Sequence, residues 1–217
     1  MCSVIGYYSK SPSSNDRGVI QSIFVQSKIR GTHSFGISYL NPGGQVITFK
    51  THNLAEILIR LERLDPFPRQ LIGHTRYSTS GDWHAHSNNQ PIDIKKIAFA
   101  FNGVIDMRTR EDWQQTYRCR FETDNDGEIF IRHLLKGGNP IEFVRQKKRS
   151  FAGVYLKNGE IYALRNVSRP MWQAVRGDSM FIASTQDIFK RAAPNLVPSS
   201  VIPFRLLNLR EHVLQAG

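Results

Sequence analysis

Cysteine is scarce in this chain of 217 residues: Cys2 and Cys119 are its only two, too few for a disulfide framework. Acidic residues are outnumbered, with 18 Asp+Glu against 29 Lys+Arg and a formal net charge of +11, so a polyanionic partner has to be weighed. No apolar run approaches the roughly 20 residues that a membrane span requires, and no membrane association is expected. The stretch from Met1 to Tyr8 lacks the basic start and longer apolar core of a secretory signal, so a cytoplasmic protein is expected. Internal repeats and low-complexity linkers are missing too. The expectation is one domain over residues 1–217, with 193–217 as a C-terminal extension. What the chain does have is 40% hydrophobic and 11% aromatic residues spread along its length, which argues against disorder.

Residues Cys2 to Tyr8 read as a strand. Ser13 to Asp16 supply capping side chains for a helix carrying Val19, Ile20, Ile23 and Phe24, which Gly31 can close. Phe35–Leu40 and Gln45–Phe49 flank Asn41-Pro42-Gly43-Gly44 and predict a hairpin. Asn53 caps a second helix. Gln70–Arg76 and Ile97–Phe101 read as buried strands, separated by a polar stretch from Ser78 to Asn89. Helices follow near Thr109–Gln115, Gly127–Leu135 and Pro140–Lys148, the last with Asn139 as its cap. A hairpin then turns at Asn158-Gly159, another encloses Arg176 to Ser179, and Thr185 caps a helix through Phe189. Hairpins dominate over strand-helix-strand units, so the class is α+β with mainly antiparallel sheets.

Cys2 is the most informative residue. Removal of the initiator Met leaves a cysteine whose thiol and free α-amine belong to one residue, and an amine titrating near roughly 7.7–8.0 can take the proton of a thiol near about 8.5. Arg76, at a strand end within Gly73-His74-Thr75-Arg76-Tyr77-Ser78-Thr79-Ser80-Gly81, can hold a carboxylate in a forked pair, with the Thr79 hydroxyl completing the site. A structural ion pair is the plainer alternative. Asn102-Gly103 ends an apolar strand: either a turn, or an oxyanion hole made of the Asn102 amide and the Gly103 N–H. Asp124 and Asp126 precede a helix, where either can cap it or bind an ammonium group. His84 and His86 form an i, i+2 pair with no third ligand in sight, so no metal is expected. Cys119, between Arg118 and Arg120, reads as a structural or surface thiol.

Taken in order, these segments resemble the class II glutamine amidotransferase domain, an N-terminal-nucleophile hydrolase. Met1-Cys2-Ser3-Val4-Ile5-Gly6 is similar to the family's Met-Cys-Gly-Ile start, and Arg30-Gly31-Thr32-His33-Ser34-Phe35-Gly36-Ile37 to its Arg-Gly-x-Asp-Ser-x-Gly-Ile. His74 to Gly81 matches His-x-Arg-Tyr/Trp-x-Thr-x-Gly in the Tyr form of the phosphoribosylpyrophosphate amidotransferase branch. Asn89-Gln90-Pro91 resembles Ala-Gln-Pro or Ala-His-Pro, and Phe101-Asn102-Gly103-Val104-Ile105 resembles His-Asn-Gly-x-Ile. Asp126-Gly127-Glu128-Ile129 resembles Asp-x-Glu, a register that favours Asp126 over Asp124. Leu164-Arg165-Asn166 with Arg169-Pro170, and Phe181 to Ser184, are similar to the closing segments.

The resemblance implies a four-layer αββα fold with two mainly antiparallel sheets. It implies Cys2 as nucleophile, Asn102 and Gly103 as oxyanion donors, Arg76 with Thr79 on the substrate carboxylate, and Asp126 on its ammonium. The implied reaction hydrolyses the glutamine side-chain amide through a Cys2 thioester, without cofactor or metal. Family enzymes join this domain to a synthase domain that consumes the ammonia, and since none fits after about residue 192 a separate synthase partner is expected. Four departures stand out: Ser3 for Gly, His33 for Asp, Phe101 for His, and Asn166 for Asp. They mark a divergent member; the net charge of +11 and Gln146-Lys147-Lys148-Arg149 motivate an alternative, a catalytically retired domain acting as a nucleic-acid-binding or scaffold protein.

Overall fold

The computed structural model describes residues 1–78 and 81–216; Thr79, expected to contact substrate, lies outside the described residues. In chain order the first elements are β1 (Ser3–Ser9), α1 (Ser14–Ser27), β2 (Ser34–Leu40), β3 (Val46–Thr51), α2 (Leu54–Glu62) and β4 (Gln70–Arg76). Next come β5 (Ile92–Ile94), β6 (Ile97–Val104), α3 (Arg110–Tyr117), α4 (Gly127–Leu135), α5 (Pro140–Arg145), β7 (Ser150–Lys157) and β8 (Glu160–Arg165). The chain continues through β9 (Trp172–Arg176), β10 (Ser179–Ala183), α6 (Gln186–Ala192), β11 (Ser199–Ser200), β12 (Leu207–Asn208) and α7 (Leu209–Ala216).

Two antiparallel sheets stack face to face. The seven-stranded sheet runs β11-β9-β10-β1-β4-β2-β3, and the five-stranded sheet runs β12-β8-β7-β6-β5. Alternation along each strand explains the layers. In β1, Val4 and Tyr8 point into the space between the sheets, where they meet Ile72, Ile182, Ala98, Ala100, Ala152 and Val154. Ile5 and Tyr7 point the other way, into a core with Ile20 and Phe24 of α1, Ile57 of α2 and Phe189 of α6. Because β1 is buried on both faces, its sequence is apolar without interruption rather than alternating. The five-stranded sheet packs its outer face, through Phe99, Phe101 and Phe151, against Trp113 of α3, Phe130 of α4 and Phe143 of α5. The result is helices, sheet, sheet, helices, as the resemblance implied.

Local chemistry sets the boundaries. A capping box between Ser13 and Asp16 opens α1, and Asp16 also accepts from Arg176 at 2.8 Å, tying that helix to β9. Asn53 and Asn139 cap α2 and α5 through their side-chain oxygens. Asn158 and Gly159 both have positive φ, as the tight turn between β7 and β8 demands. Two features differ from expectation. β5 pairs with β6 around Lys95 and Lys96, whose φ values of 49° and 68° make the same kind of turn without the Asn or Gly that signals it. The residues beyond 193 add an edge strand to each sheet, and Leu209 and Val213 of α7 enter the inter-sheet core. Among the described residues no helix is long and apolar enough to cross a membrane.

Candidate active site

Cys2 lies at the start of β1. The antiparallel register that sets Ser3 opposite Thr75 brings it beside the end of β4. Its Sγ stands 3.4 Å from both the carbonyl oxygen and the amide nitrogen of Tyr77. Arg30 Nε donates to the Cys2 carbonyl at 2.8 Å, fixing the main chain at this point. The next residue, Gly31, packs directly against the end of β4, where a Cβ would lie 2.4 Å from the Arg76 carbonyl carbon. Burial pushes the half-buried thiol up from its ordinary value, against the lowering influence of the Tyr77 backbone, the terminal amine, Arg76 and Arg30. Such a thiol is protonated at neutral pH and needs a base.

Arg76 ends β4 opposite Ser34 of β2 and is 2% exposed. Its guanidinium donates to Asn89 Oδ1 at 2.5 Å and to the Gly81 carbonyl at 3.4 Å. Burial weakens its hold on its proton, while the charges of Cys2, Asp126 and Asp82 act the other way. Those couplings bring three of the expected residues into one electrostatic neighbourhood.

Asn102 and Gly103 lie inside β6, opposite Ala152 and Phe151 of β7, and not in a turn. The Asn102 side chain is buried, and its Nδ2 has no hydrogen-bond partner among the described residues. Gly103, with φ of 158°, runs so close to β7 that a Cβ would lie 2.0 Å from the Ser150 carbonyl oxygen. β6 is tied to β4 through His74, whose Nε2 lies 3.1 Å from the Phe101 carbonyl oxygen. Burial, with Arg76 nearby, holds His74 down at about 3, so it is neutral.

Just past β6, the amides of Ile105 and Asp106 donate to Asp126 Oδ2 at 2.6 and 3.2 Å. Asp126 is buried and makes no side-chain cap to α4, so the capping alternative does not describe it. Burial pushes its carboxyl up to about 6 despite those two amides. Asp124 differs: it is half-exposed and pairs with Arg110 at 3.4 Å. Between them, Asn125 donates to the Asn88 carbonyl at 2.9 Å and accepts from the Gly127 amide. Hydrogen bonds thus link Arg76 to Asn89 and the adjoining Asn88 to Asp124 and Asn125, the residues leading into Asp126.

The four departures each have a local partner. Ser3 Oγ donates to Ser27 Oγ at 3.1 Å. His33 Nδ1 accepts from the Ser78 amide at 3.0 Å, and its ring stacks on Tyr77 and Trp83. Phe101 packs against Phe99 and Phe151. Asn166 accepts from the Phe151 amide at 3.1 Å and donates to the Arg149 carbonyl at 2.8 Å. Elsewhere, His84 pairs with Asp82 and His86 stacks on His52. Arg149 lies over the Phe143 ring at 3.6 Å, a structural use for one charge of the Gln146–Arg149 run. Sequence reasoning placed Asn89 in the Asn-Gln-Pro segment but gave neither Asn88 nor Asn89 a role; Asn89 standing where the resembled family has Ala before Gln-Pro was the available signal.

No family profile matches the chain. Among curated proteins, it is 28% identical over 167 residues to the glutamine–fructose-6-phosphate aminotransferase (isomerizing) of Thermosynechococcus vestitus, covering 71% of this chain and 26% of that protein. It is 27% identical over 180 residues to the amidophosphoribosyltransferase of Methanocaldococcus jannaschii, covering 76% of this chain and 38% of that protein. The chain thus spans between about a quarter and two-fifths of the length of these curated relatives. The solved glutamine phosphoribosylpyrophosphate amidotransferase from B. subtilis superposes with a TM-score of 0.77 at 18% identity, covering 97% of this chain and 48% of that one. A glutamine aminotransferase class-II domain protein from Silicibacter pomeroyi gives 0.56 at 12% identity, covering 95% and 94%. The fold is that of the N-terminal-nucleophile, class II glutamine amidotransferase domain. The curated homologues are glutamine–fructose-6-phosphate aminotransferases and amidophosphoribosyltransferases.

Proposed function

We propose that this chain hydrolyses the side-chain amide of glutamine and delivers ammonia to a separate synthase partner. Met1 is 63% exposed, open to the removal that frees the Cys2 amine. The freed amine takes the thiol proton, and the sulfur attacks the side-chain carbonyl carbon. Asn102 Nδ2 and the Gly103 N–H donate to the oxyanion that forms. The C–N bond then breaks, the proton held on the amine leaves with ammonia, and water hydrolyses the thioester to glutamate. Arg76 and Thr79 hold the α-carboxylate and Asp126 the α-ammonium. No metal or organic cofactor takes part in these steps.

The observation that carries this reading is the Asn102 amide, a buried donor without an acceptor among the described residues, beside a glycine whose close packing admits no side chain. Burying such a donor costs about 1–3 kcal/mol unless an acceptor arrives. Cys2, Arg76 and Asp126 in one electrostatic neighbourhood, together with the homologues, support the same reading. The test is glutamine hydrolysis by the purified protein beside Cys2→Ala, with mass spectrometry reporting whether Met1 is removed. Equal background rates in both proteins, with candidate synthases present, overturn it.

A further inference from the structure

We propose that Asn88 and Asn89 are positioning residues that fix the spacing between Arg76 and Asp126, and so select an α-amino acid as the amide substrate. The inference rests on the glutaminase reading above and adds its specificity element. Both side chains are buried, at 3% and 0% exposure, in a segment where a buried amide must account for its hydrogen bonds.

The two neighbours face opposite anchors. Asn89 Oδ1 accepts from Arg76 at 2.5 Å, while its Nδ2 donates to the Trp83 carbonyl at 2.7 Å. A buried guanidinium requires acceptors, and this one orients the fork that would meet a carboxylate. Asn88 Oδ1 accepts from the Asp124 amide at 2.8 Å, its carbonyl accepts from Asn125 Nδ2 at 2.9 Å, and its Nδ2 donates to the Asp82 carbonyl at 3.1 Å. Those bonds hold the turn that delivers Asp126. Consecutive residues thus reach the cation on the seven-stranded sheet and the turn that leads into Asp126 beside the five-stranded sheet, with a single peptide unit between them. The carbonyls of Asp82 and Trp83, one residue apart, anchor the other side of both amides. The separation of the two charged groups is therefore set by a short covalent segment and not by the packing of the sheets alone.

Two substrates separate the arms: glutamine, and 4-carbamoylbutanoate, which keeps the amide and carboxylate but lacks the amine. Asn89→Ala loosens Arg76, so KM rises about tenfold for both substrates while kcat stays within about threefold. Asn88→Ala loosens the Asp126 turn, so KM rises about tenfold for glutamine alone and the preference for glutamine over 4-carbamoylbutanoate falls by the same factor. Asn89→Asp puts a carboxylate on Arg76 that competes with the substrate, so its KM exceeds that of Asn89→Ala. Asn89→Ser, which keeps a smaller acceptor, recovers part of the loss and serves as the folded variant if the alanine protein unfolds. Thermal melts check folding for each variant. Unchanged KM in both alanine variants, or equal losses for both substrates in Asn88→Ala, overturns the inference while wild-type turnover leaves the glutaminase reading standing. A wild type that neither binds nor hydrolyses glutamine overturns both.

Discussion

On the seven-stranded sheet, Cys2 and Arg76 lie at adjacent strand ends and take their positions from a main-chain ladder. Beside the five-stranded sheet, Asn102 and Gly103 sit within a strand, and Asp126 is delivered by a turn whose bonds run through side chains. The first arrangement is backed by apolar cores on both faces of β1. The second depends on polar atoms that are individually replaceable. The candidate site is therefore the meeting of a rigid half that carries the proposed nucleophile and cation with a half built from hydrogen bonds that carries the proposed donors and acid. Substitutions should separate the two halves by which kinetic constant they move.

The largest effect belongs to the rigid half. Cys2→Ala is expected to lower glutamine hydrolysis by at least about a thousandfold, because no neighbouring group replaces a missing nucleophile. Single-turnover assays would check it. Next is the donor in the second half: Asn102→Ala is expected to lower kcat by about a hundredfold with KM nearly unchanged, since its amide meets charge that develops only in the transition state. A rise in KM with kcat intact would make Asn102 a ground-state contact and erase the contrast.

How much of this was legible in the sequence follows the same division. The strand ends carrying Cys2 and Arg76 were readable, because Val4 to Tyr8 and Leu71 to Gly73 are short apolar stretches and the reactive or charged residue stands at the edge of each strand. The helix caps at Asn53, Asn139 and Thr185 and the Asn158-Gly159 turn were readable because one residue type does one local job. Asn102-Gly103 was ambiguous: the same dipeptide makes turns, and only the β6–β7 register keeps it in a strand. The Lys95-Lys96 turn gave no signal, since lysines adopt positive φ there under tertiary constraint. Asn89 was invisible as a partner of Arg76, being 13 positions away in sequence and joined only by folding. The choice of Asp126 over Asp124 came from the resemblance alone; the burial that separates the two acids is a product of folding and has no mark in the sequence.

A smaller effect is expected at the seam between the halves. Ala98, Ala100, Ala152 and Ala163 keep the five-stranded sheet close to Val4, Ile72 and Ile182 of its neighbour. Ala100→Leu overpacks that seam, with an expected loss of up to about 3 kcal/mol in stability. Urea denaturation would measure it. If the sheets separate slightly without unfolding, kcat should fall further than KM rises, since Cys2, the proposed nucleophile, and Asn102 and Gly103, the proposed oxyanion donors, lie on opposite sides of the seam.

The smallest effect is the most diagnostic, because it titrates one side chain of the second half. Burial raises the folded-state carboxyl of Asp126 to about 6, above its ordinary value near 3.9. The contribution to stability is thus fully present below about 3.9 and is lost as pH rises through about 6; at pH 7 the ionised side chain costs stability. Asp126→Asn should then be more stable than the wild type at pH 7, by on the order of 1–2 kcal/mol, and lose that advantage toward pH 4. Binding runs the opposite way. An ammonium group is held only by the ionised carboxylate, so kcat/KM for glutamine should fall below pH about 6, by no more than about tenfold per unit. The same limb should be missing for 4-carbamoylbutanoate, which brings no ammonium to the site. A limb of equal size with both substrates would assign the titration to the Cys2 amine and thiol, and would move the pH dependence from the hydrogen-bonded half of the site to the rigid one.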